Sequence, residues 1–261
     1  MSAIITSIHN CPVKSISFQY VEKCKINKNI GIEGDRVFAF SQNLDLDQSI
    51  EFEKKPEVRK GKWNKIVTLK NTPVLNKYNF LHEDNKLTLK LKNKNIITVN
   101  VNESNERDSL VKKLIELEGS LKNDVRLMRN DKYPFYDTSI SNKAMFRNSI
   151  SLLNINSIKD FENKINQKIE KSIFRGNLYF DGVEAWKERN WIGKTIKIND
   201  VLFKVEKNIP RCVAINLKPK TDDNSFNLLK TLKQIYDHYD MGVYLTPKNN
   251  GEINIGVEII V

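Results

Sequence analysis

The sequence has few cysteines and few histidines, and it has no long apolar run. Its 261 residues include three cysteines, at positions 11, 24 and 212, and no C-x-x-C pair of the kind found in zinc or dithiol redox sites. Three scattered cysteines are too few for a disulfide framework. No apolar stretch is long enough to cross a bilayer, and the first residues lack the pattern of an export signal. We therefore expect a cytoplasmic protein with no membrane partner.

Positive charge is in excess, with a formal net charge of +11. In the densest region, residues 85–95, Lys86 and Lys90 have one parity, whereas Leu87 and Leu89 have the other. This alternation predicts a strand with one solvated and one buried face. Because no helix or known module gathers the charge, we expect no nucleic-acid partner.

Short segments with period-two alternation dominate the chain and predict strands. They are ITSIH, YVEKCKI, RVFAFS, KIVTLK, KLTLKL, IITVNV, KTIKI, VLFKVEK, GVYLT and INIGVEIIV. Helical spacing predicts three helices, at residues 106–119, 156–169 and 225–239, the second of them capped by Asn156 or Ser157. Many short strands and few helices favour an α+β, strand-dominated fold.

The chain is predicted to form two closely packed domains, residues 1–120 and 121–261. The first predicted helix ends at Gly119, and a polar segment without either period follows at residues 130–149. A loop of this length is longer than a passive connection, so this segment is a candidate wall of a functional site.

Two turns in the first half carry candidate anion-binding residues. In NCPVKSISF, Lys14 and Ser15 follow a proline turn and could bind a phosphate oxygen together, although a plain surface lysine gives the same pattern. In GIEGDRVFAF, Arg36 follows a glycine turn and could present its guanidinium to an anion, but an Asp–Arg pair there can also be structural.

Two further stretches in the second half carry candidate residues. In FRGNLYFDG, Arg175 and Asn177 have one parity of a predicted strand, which makes a donor pair for an anionic or heterocyclic ligand or a salt bridge at a sheet end. In NIPRCVAINLKP, Cys212 follows Arg211. A thiol beside a fixed positive charge is suited to reaction or to ligation of a soft metal, whereas a lone cysteine can also be inert packing.

The ordered series PVKS, GDR, FRGNL, EAWKERNWIGKTIKI, RC and MGVY, from about residue 4 to residue 260, resembles the MOSC superfamily. Among its members the sequence looks most like the two-domain bacterial relatives of the mitochondrial amidoxime reducing component. The resemblance implies an N-terminal MOSC β-barrel-like domain packed on a C-terminal MOSC β-barrel domain, with a molybdenum cofactor (molybdopterin) between them. It makes Cys212 the metal ligand and catalytic residue. It assigns cofactor binding to Lys14, Ser15, Arg36, Arg175, Asn177 and Arg211.

The resemblance also implies a molybdenum-dependent oxidoreductase that reduces small N-hydroxylated substrates. Electrons would come from a separate carrier, such as a ferredoxin or a flavodoxin-like protein, and the basic surface could dock such an acidic donor. Two alternatives stay open. The chain could be a sulfur carrier that transfers persulfide sulfur from Cys212, or a binding module for the cofactor or nucleic acid without catalysis.

Some positions depart from the pattern of the family. Cys11 replaces the usual tyrosine before PVKS, and Gly176 replaces the proline of FRPN, which we expect to loosen the backbone before Asn177. Phe146 stands where the family often has an acidic residue. Proton delivery by a carboxylate at that position is therefore not expected here.

Overall fold

The structure, a computed structural model, describes residues 2–16, 18–122, 124–136 and 149–261. The strands in these ranges are β1 (Ala3–Asn10), β2 (Gln19–Val21), β3 (Lys23–Asn27), β4 (Gly31–Ile32), β5 (Phe38–Ser41), β6 (Tyr78–Glu83), β7 (Lys86–Leu91), β8 (Lys94–Asn100), β9 (Arg126–Arg129), β10 (Ile150–Asn154), β11 (Leu178–Asp181), β12 (Thr195–Ile198), β13 (Val201–Pro210), β14 (Asp240–Pro247), β15 (Gly251–Asn254) and β16 (Glu258–Ile260). The helices there are α1 (Leu46–Lys54), α2 (Ser104–Leu117), α3 (Ile155–Ile165) and α4 (Leu228–Tyr236). The predicted α+β, strand-dominated fold is confirmed.

Seven strands form a closed barrel. Their order is β11-β10-β14-β13-β12-β16-β1, and β1 pairs back onto β11 to close the ring. The closing pair is antiparallel, with Ile5 opposite Phe180 and Ile8 opposite Leu178. Alternate residues of these strands fill the barrel with fully buried aliphatic and aromatic side chains. The hydrophobic core of the second half therefore includes the first strand of the chain.

A second core lies in the N-terminal half. Strands β6, β7 and β8 form an antiparallel sheet, and β5 pairs with β9. Leu87 and Leu89 of β7 are fully buried, as the alternation in this segment predicted. Leu110 and Leu114 of α2 belong to the same core, which also takes in Leu217 from the second half. The two halves thus share packed apolar side chains.

Strand pairing crosses the predicted domain boundary near residue 120. β1 completes the barrel of the second half, and β9 pairs with β5 of the first half. The division into residues 1–120 and 121–261 stays a prediction. The hydrogen-bonded sheets do not separate at that point.

The three predicted helices are present as α2, α3 and α4. The cap of α3 is Asn154, whose side chain accepts a hydrogen bond from the Asn156 backbone N–H, so the prediction of Asn156 or Ser157 was wrong. Helix α1 was not predicted, although Asp45 and Gln48 form a capping box at its start. None of the helices in the described ranges has the length and hydropathy needed to cross a lipid bilayer.

Some strand predictions fail where the chain turns. Residues 65–70 are not a strand: Lys65 ends a 3-10 turn over Trp63–Lys65, and Ile66 forms an isolated bridge with Ser41. The segment INIGVEIIV is interrupted at Gly256, which has a φ of 86°, so it forms the end of β15 and then β16. Alternation alone does not show where such backbone reversals occur.

Candidate functional site

The segment after β1 runs beside the segment before β5. The Arg36 N–H donates to the Cys11 carbonyl at 2.6 Å, and the Lys14 N–H donates to the Phe38 carbonyl at 2.7 Å. Pro12 cannot donate a hydrogen bond, but its carbonyl accepts one from the Phe38 N–H at 3.0 Å. These bonds bring Lys14 and Arg36 onto adjacent segments.

Asp35 connects this pair of segments to the second half of the chain. Its buried carboxylate accepts hydrogen bonds from the Cys11 backbone N–H at 2.7 Å and from Asn177 Nδ2 at 3.3 Å. The same carboxylate is paired with the Arg36 guanidinium. Sequence reasoning selected Arg36 for an anionic ligand and considered Asp35 only as its partner in a structural Asp–Arg pair, and the structure shows this pair.

Arg36 and Arg175 converge on one aromatic ring. The guanidinium carbons of Arg36 and Arg175 lie 5.7 and 4.9 Å from the centre of the Phe18 ring, and Arg36 also lies 5.4 Å from the Tyr136 ring centre. Burial lowers the pKa of Arg175, and the nearby charge of Arg36 lowers it further. Burial alone would lower the pKa of Arg36, but Asp35 raises it above its usual value. Two like charges therefore lie close together in a partly buried place.

The sequence predicted that Arg175 and Asn177 share one side of a strand, and this prediction was wrong. Arg175 ends a 3-10 turn over Lys171–Phe174 in the left-handed conformation, with a φ of 52°, and β11 begins only at Leu178. The side-chain oxygen of Asn177 accepts hydrogen bonds from the Ser151 hydroxyl at 2.8 Å and the Ser151 N–H at 3.3 Å. The buried Asn177 amide is thus used to join β10, Asp35 and the start of β11.

Gly176 is closely packed rather than loosened. A Cβ atom at this position would lie 2.5 Å from Leu153 Cδ1 and 3.0 Å from Tyr179 Cζ. The Gly176 N–H donates to the Tyr179 hydroxyl at 3.0 Å, a bond that the proline of FRPN could not make. Glycine in place of the family's proline therefore allows one additional hydrogen bond, and the backbone at this position is held by close contacts.

The segment with Arg211 and Cys212 follows β13. The Arg211 guanidinium donates to the Phe174 carbonyl at 2.6 Å and to the Met241 carbonyl, with its Nε at 3.0 Å. Cys212 is exposed and precedes a 3-10 turn over Val213–Asn216. Burial lowers the pKa of Arg175 and of Arg211, and the Cys212 thiol acts against that effect at both guanidiniums.

The other two cysteines are buried. Burial raises the pKa of the Cys11 thiol, which donates to the Val13 carbonyl at 3.2 Å. Burial also raises the pKa of Cys24 to about 12. Cys212 is therefore the thiol that a ligand from solution can reach.

We call Lys14, Arg36, Arg175 and Arg211 the cationic cluster. The positive charges of Lys14, Arg36 and Arg175 all act to lower the pKa of the buried Cys11 thiol, against the larger effect of burial. The Cys212 thiol acts on the pKa of both Arg175 and Arg211. For Ser15, the structure shows a φ of 67° and a hydroxyl that accepts a hydrogen bond from the Leu69 N–H at 3.3 Å. Phe146 and most of the predicted site wall lie outside the described residues.

The donor set fits an anionic ligand that carries a soft metal. Arginine and lysine side chains bind phosphate through charge-assisted hydrogen bonds, and an exposed thiolate is a ligand for a soft metal. In the described part of the chain, no group of three or more His, Cys, Asp or Glu side chains is arranged to hold a metal ion.

Comparisons with known proteins give two kinds of similarity. Among solved structures, the YuaD protein from Bacillus subtilis shares 11% identity over 99% of this chain and 94% of its own, with a TM-score of 0.44. YiiM from Geobacillus stearothermophilus shares 15% identity over 42% of this chain and 52% of its own, with a TM-score of 0.34. No curated protein sequence matches the chain.

A family model described as the MOSC domain matches residues 138–260. The matched segment contains Arg175, Asn177, Arg211 and Cys212, as well as every barrel strand except β1. MOSC domains in general bind the molybdenum cofactor. Residues 138–260 are therefore assigned to the MOSC domain family.

Proposed function

We propose that this chain binds the molybdenum cofactor through Cys212 and the cationic cluster, and uses it to reduce small N-hydroxylated compounds. One observation carries the proposal. Arg36 and Arg175 converge on Phe18, and Asp35 is paired with only one of these two arginines. Arg211, which precedes the exposed Cys212, donates to the carbonyl of Phe174, the residue before Arg175.

The charge balance supports an anionic ligand at this place. Among the described residues Arg175 has no carboxylate within salt-bridge distance, and its pKa is lowered by burial and by Arg36. A phosphate between the two guanidiniums would offset their repulsion and accept hydrogen bonds from both. Each such charged hydrogen bond contributes about 1.5–3 kcal/mol.

The residues would have separate roles in the reaction. The bound cofactor would supply two-electron chemistry at an N–O bond, in which an N-hydroxyl group takes up two electrons and two protons and leaves as water. Cys212 would ligate the metal, while Arg36 and Arg175 hold the anionic part of the cofactor. Arg211 would position Cys212, because its guanidinium fixes the turn to the carbonyls of Phe174 and Met241.

Electrons would reach the site from a separate carrier, a ferredoxin or a flavodoxin-like protein. The net charge of +11 supports an acidic donor, since complementary charge speeds the encounter of two proteins. The compartment in which this takes place is proposed to be the cytoplasm.

The proposal is tested by replacing the metal ligand. Cys212→Ala should abolish molybdenum retention, because the thiolate is the proposed protein ligand, whereas Cys24→Ala should retain the metal. Cys24 is the matched control because it is a free cysteine in the barrel core. Both variants are purified from a host that makes the cofactor, and molybdenum and pterin are measured per chain. Retention of molybdenum by Cys212→Ala refutes the ligand assignment.

The exposure of Cys212 also favours one other function, that of a sulfur carrier. A persulfide must be reached by both its donor and its acceptor, and this thiol is open to both. Labile sulfur on Cys212 in protein that holds no molybdenum identifies the carrier. Molybdenum with pterin identifies the reductase.

A further inference from the structure

Arg59 is a buried arginine outside the cationic cluster. It ends a 3-10 turn over Pro56–Arg59 and is only 4% exposed. Burial lowers the pKa of Arg59 to about 10, so the guanidinium still carries its charge at pH 7. Each of its three nitrogens donates to a backbone carbonyl. Because burial of a charge costs free energy that its contacts must offset, these contacts indicate what the side chain does.

The Arg59 guanidinium connects the end of helix α1 to a segment from beyond the predicted domain boundary. Nε and Nη2 donate to the carbonyls of Phe52 and Glu53, at 2.6 and 2.8 Å. Both carbonyls lie in the last turn of α1, where a helix leaves carbonyls without an intrahelical partner and where a positive charge is favourable. Nη1 donates to the Tyr133 carbonyl at 2.6 Å, and the guanidinium carbon lies 4.0 Å from the centre of the Phe135 ring.

The segment held by Arg59, residues 133–136, contacts Arg36. The Phe135 N–H donates to the Arg36 carbonyl at 2.7 Å, and the Tyr136 ring centre lies 5.4 Å from the Arg36 guanidinium carbon. Arg36 has a left-handed backbone, with a φ of 56°. A residue other than glycine keeps this conformation only where its surroundings hold it. The segment therefore supports both the backbone and the side chain of one member of the cationic cluster.

We propose that Arg59 is a positioning residue for an anion site at the cationic cluster: it holds residues 133–136 so that Arg36 keeps the conformation that binds a phosphate. The inference rests on the anion site of the proposed function. Each nitrogen of Arg59 already donates to a carbonyl, so the effect of Arg59 on an anion passes through Arg36.

Inorganic phosphate is the probe for this role, and it is titrated calorimetrically into the purified protein at pH 7. Arg59→Ala should bind phosphate about tenfold less tightly than the wild type, because a displaced Arg36 loses a charged hydrogen bond to the anion. Arg59→Lys keeps the charge, but its ammonium group cannot match three carbonyls and a ring together, so it should bind phosphate about threefold less tightly. The lysine variant gives the answer if the alanine variant does not fold.

Methylguanidinium distinguishes a positioning role from a loss of stability. It replaces the group that Arg59→Ala lacks, so it should restore phosphate binding in the folded alanine variant. The same concentration of sodium chloride should not, because salt only screens the anion. Arg107→Ala is the matched control, since the Arg107 side chain is 21% exposed and bonds the carboxylate of Glu53, in the same helix end, at 3.1 Å. It should lower the free energy of unfolding in urea and leave the phosphate affinity unchanged.

The outcomes separate this inference from the proposed function. Wild-type phosphate affinity in Arg59→Lys, or an equal loss of affinity in Arg107→Ala, overturns the positioning role. Failure of methylguanidinium to restore binding in folded Arg59→Ala overturns it too, as does a wild-type protein that binds no phosphate. Molybdenum is measured in parallel. The expected phosphate affinities in a protein that never holds molybdenum keep the role of Arg59 and refute the molybdenum proposal.

Discussion

The substitution Asp35→Asn removes one negative charge from the centre of the site and changes little in shape. The Asp35 carboxylate is 1% exposed, and it holds the Arg36 guanidinium and the Cys11 backbone. The asparagine side chain can still accept a hydrogen bond from the Cys11 N–H, but it cannot offset the charge of Arg36. Among the described residues, Arg36 would then lie beside Arg175 without a carboxylate partner.

The expected loss is large for a single change in charge. Removing one partner of a buried ion pair costs about 3–5 kcal/mol. The Arg36 side chain is 17% exposed and keeps its contacts with Phe18 and Tyr136, so the lower end applies, about 3 kcal/mol. Glu51→Gln breaks the exposed pair with Lys55 and should cost less than about 0.5 kcal/mol.

Urea denaturation of the three proteins at pH 7 measures these free energies of unfolding. Inorganic phosphate gives a second measurement, because an anion in the cationic cluster replaces the lost charge. At a phosphate concentration ten times the dissociation constant of the variant, the free energy of unfolding of the variant should rise by about 1.4 kcal/mol. At the same phosphate concentration, the free energy of unfolding of the wild-type protein should rise by less, because Asp35 still offsets the charge of Arg36. If Asp35→Asn is as stable as Glu51→Gln, Asp35 does not organise the site.

Two further predictions concern His9 and Gly176. The pKa of His9 is lowered to about 4, first by burial and then by Lys171, so protonation favours the unfolded chain. The stability that His9 contributes is present above pH 6.5 and is lost as the pH falls toward 4, by about 2 kcal/mol between pH 7.5 and pH 5. Urea denaturation at both pH values should show a smaller decrease for His9→Phe than for the wild type, and equal decreases would contradict the prediction. Gly176→Ala should lower the free energy of unfolding by about 1–3 kcal/mol, because the new Cβ meets Leu153 at 2.5 Å. Gly119→Ala, where a Cβ meets nothing within 4 Å, is the control, and equal losses for the two alanines would show that Leu153 adapts freely.

Local patterns in the sequence predicted the local parts of the fold. The alternation in β7 predicted the buried face of Leu87 and Leu89, and helical spacing predicted α2, α3 and α4. Helix α1 was not predicted because its apolar stripe is short, and Phe52 is its one buried apolar residue. Its capping box was the available signal.

Pairings between distant residues could not be predicted from these patterns. Period-two alternation identifies β1 as a strand, but it does not show that Ile5 lies opposite Phe180. The roles of Asp35 and His9 depend on such pairings. The carboxylate of Asp35 bonds Asn177, and His9 is placed beside the start of β11. In the sequence, both residues are ordinary polar residues next to turns.

The closure of the barrel and the assembly of the site depend on the same contact. β1 closes the ring by pairing with β11, and the next backbone bond, from the His9 N–H to the Asn177 carbonyl at 2.7 Å, lies at the edge of the site. Beyond it, Cys11 bonds Asp35, and Asp35 holds Arg36. Because these bonds follow one another along the chain, the pairing of β1 with β11 that closes the barrel also fixes the segment that carries Asp35 and Arg36.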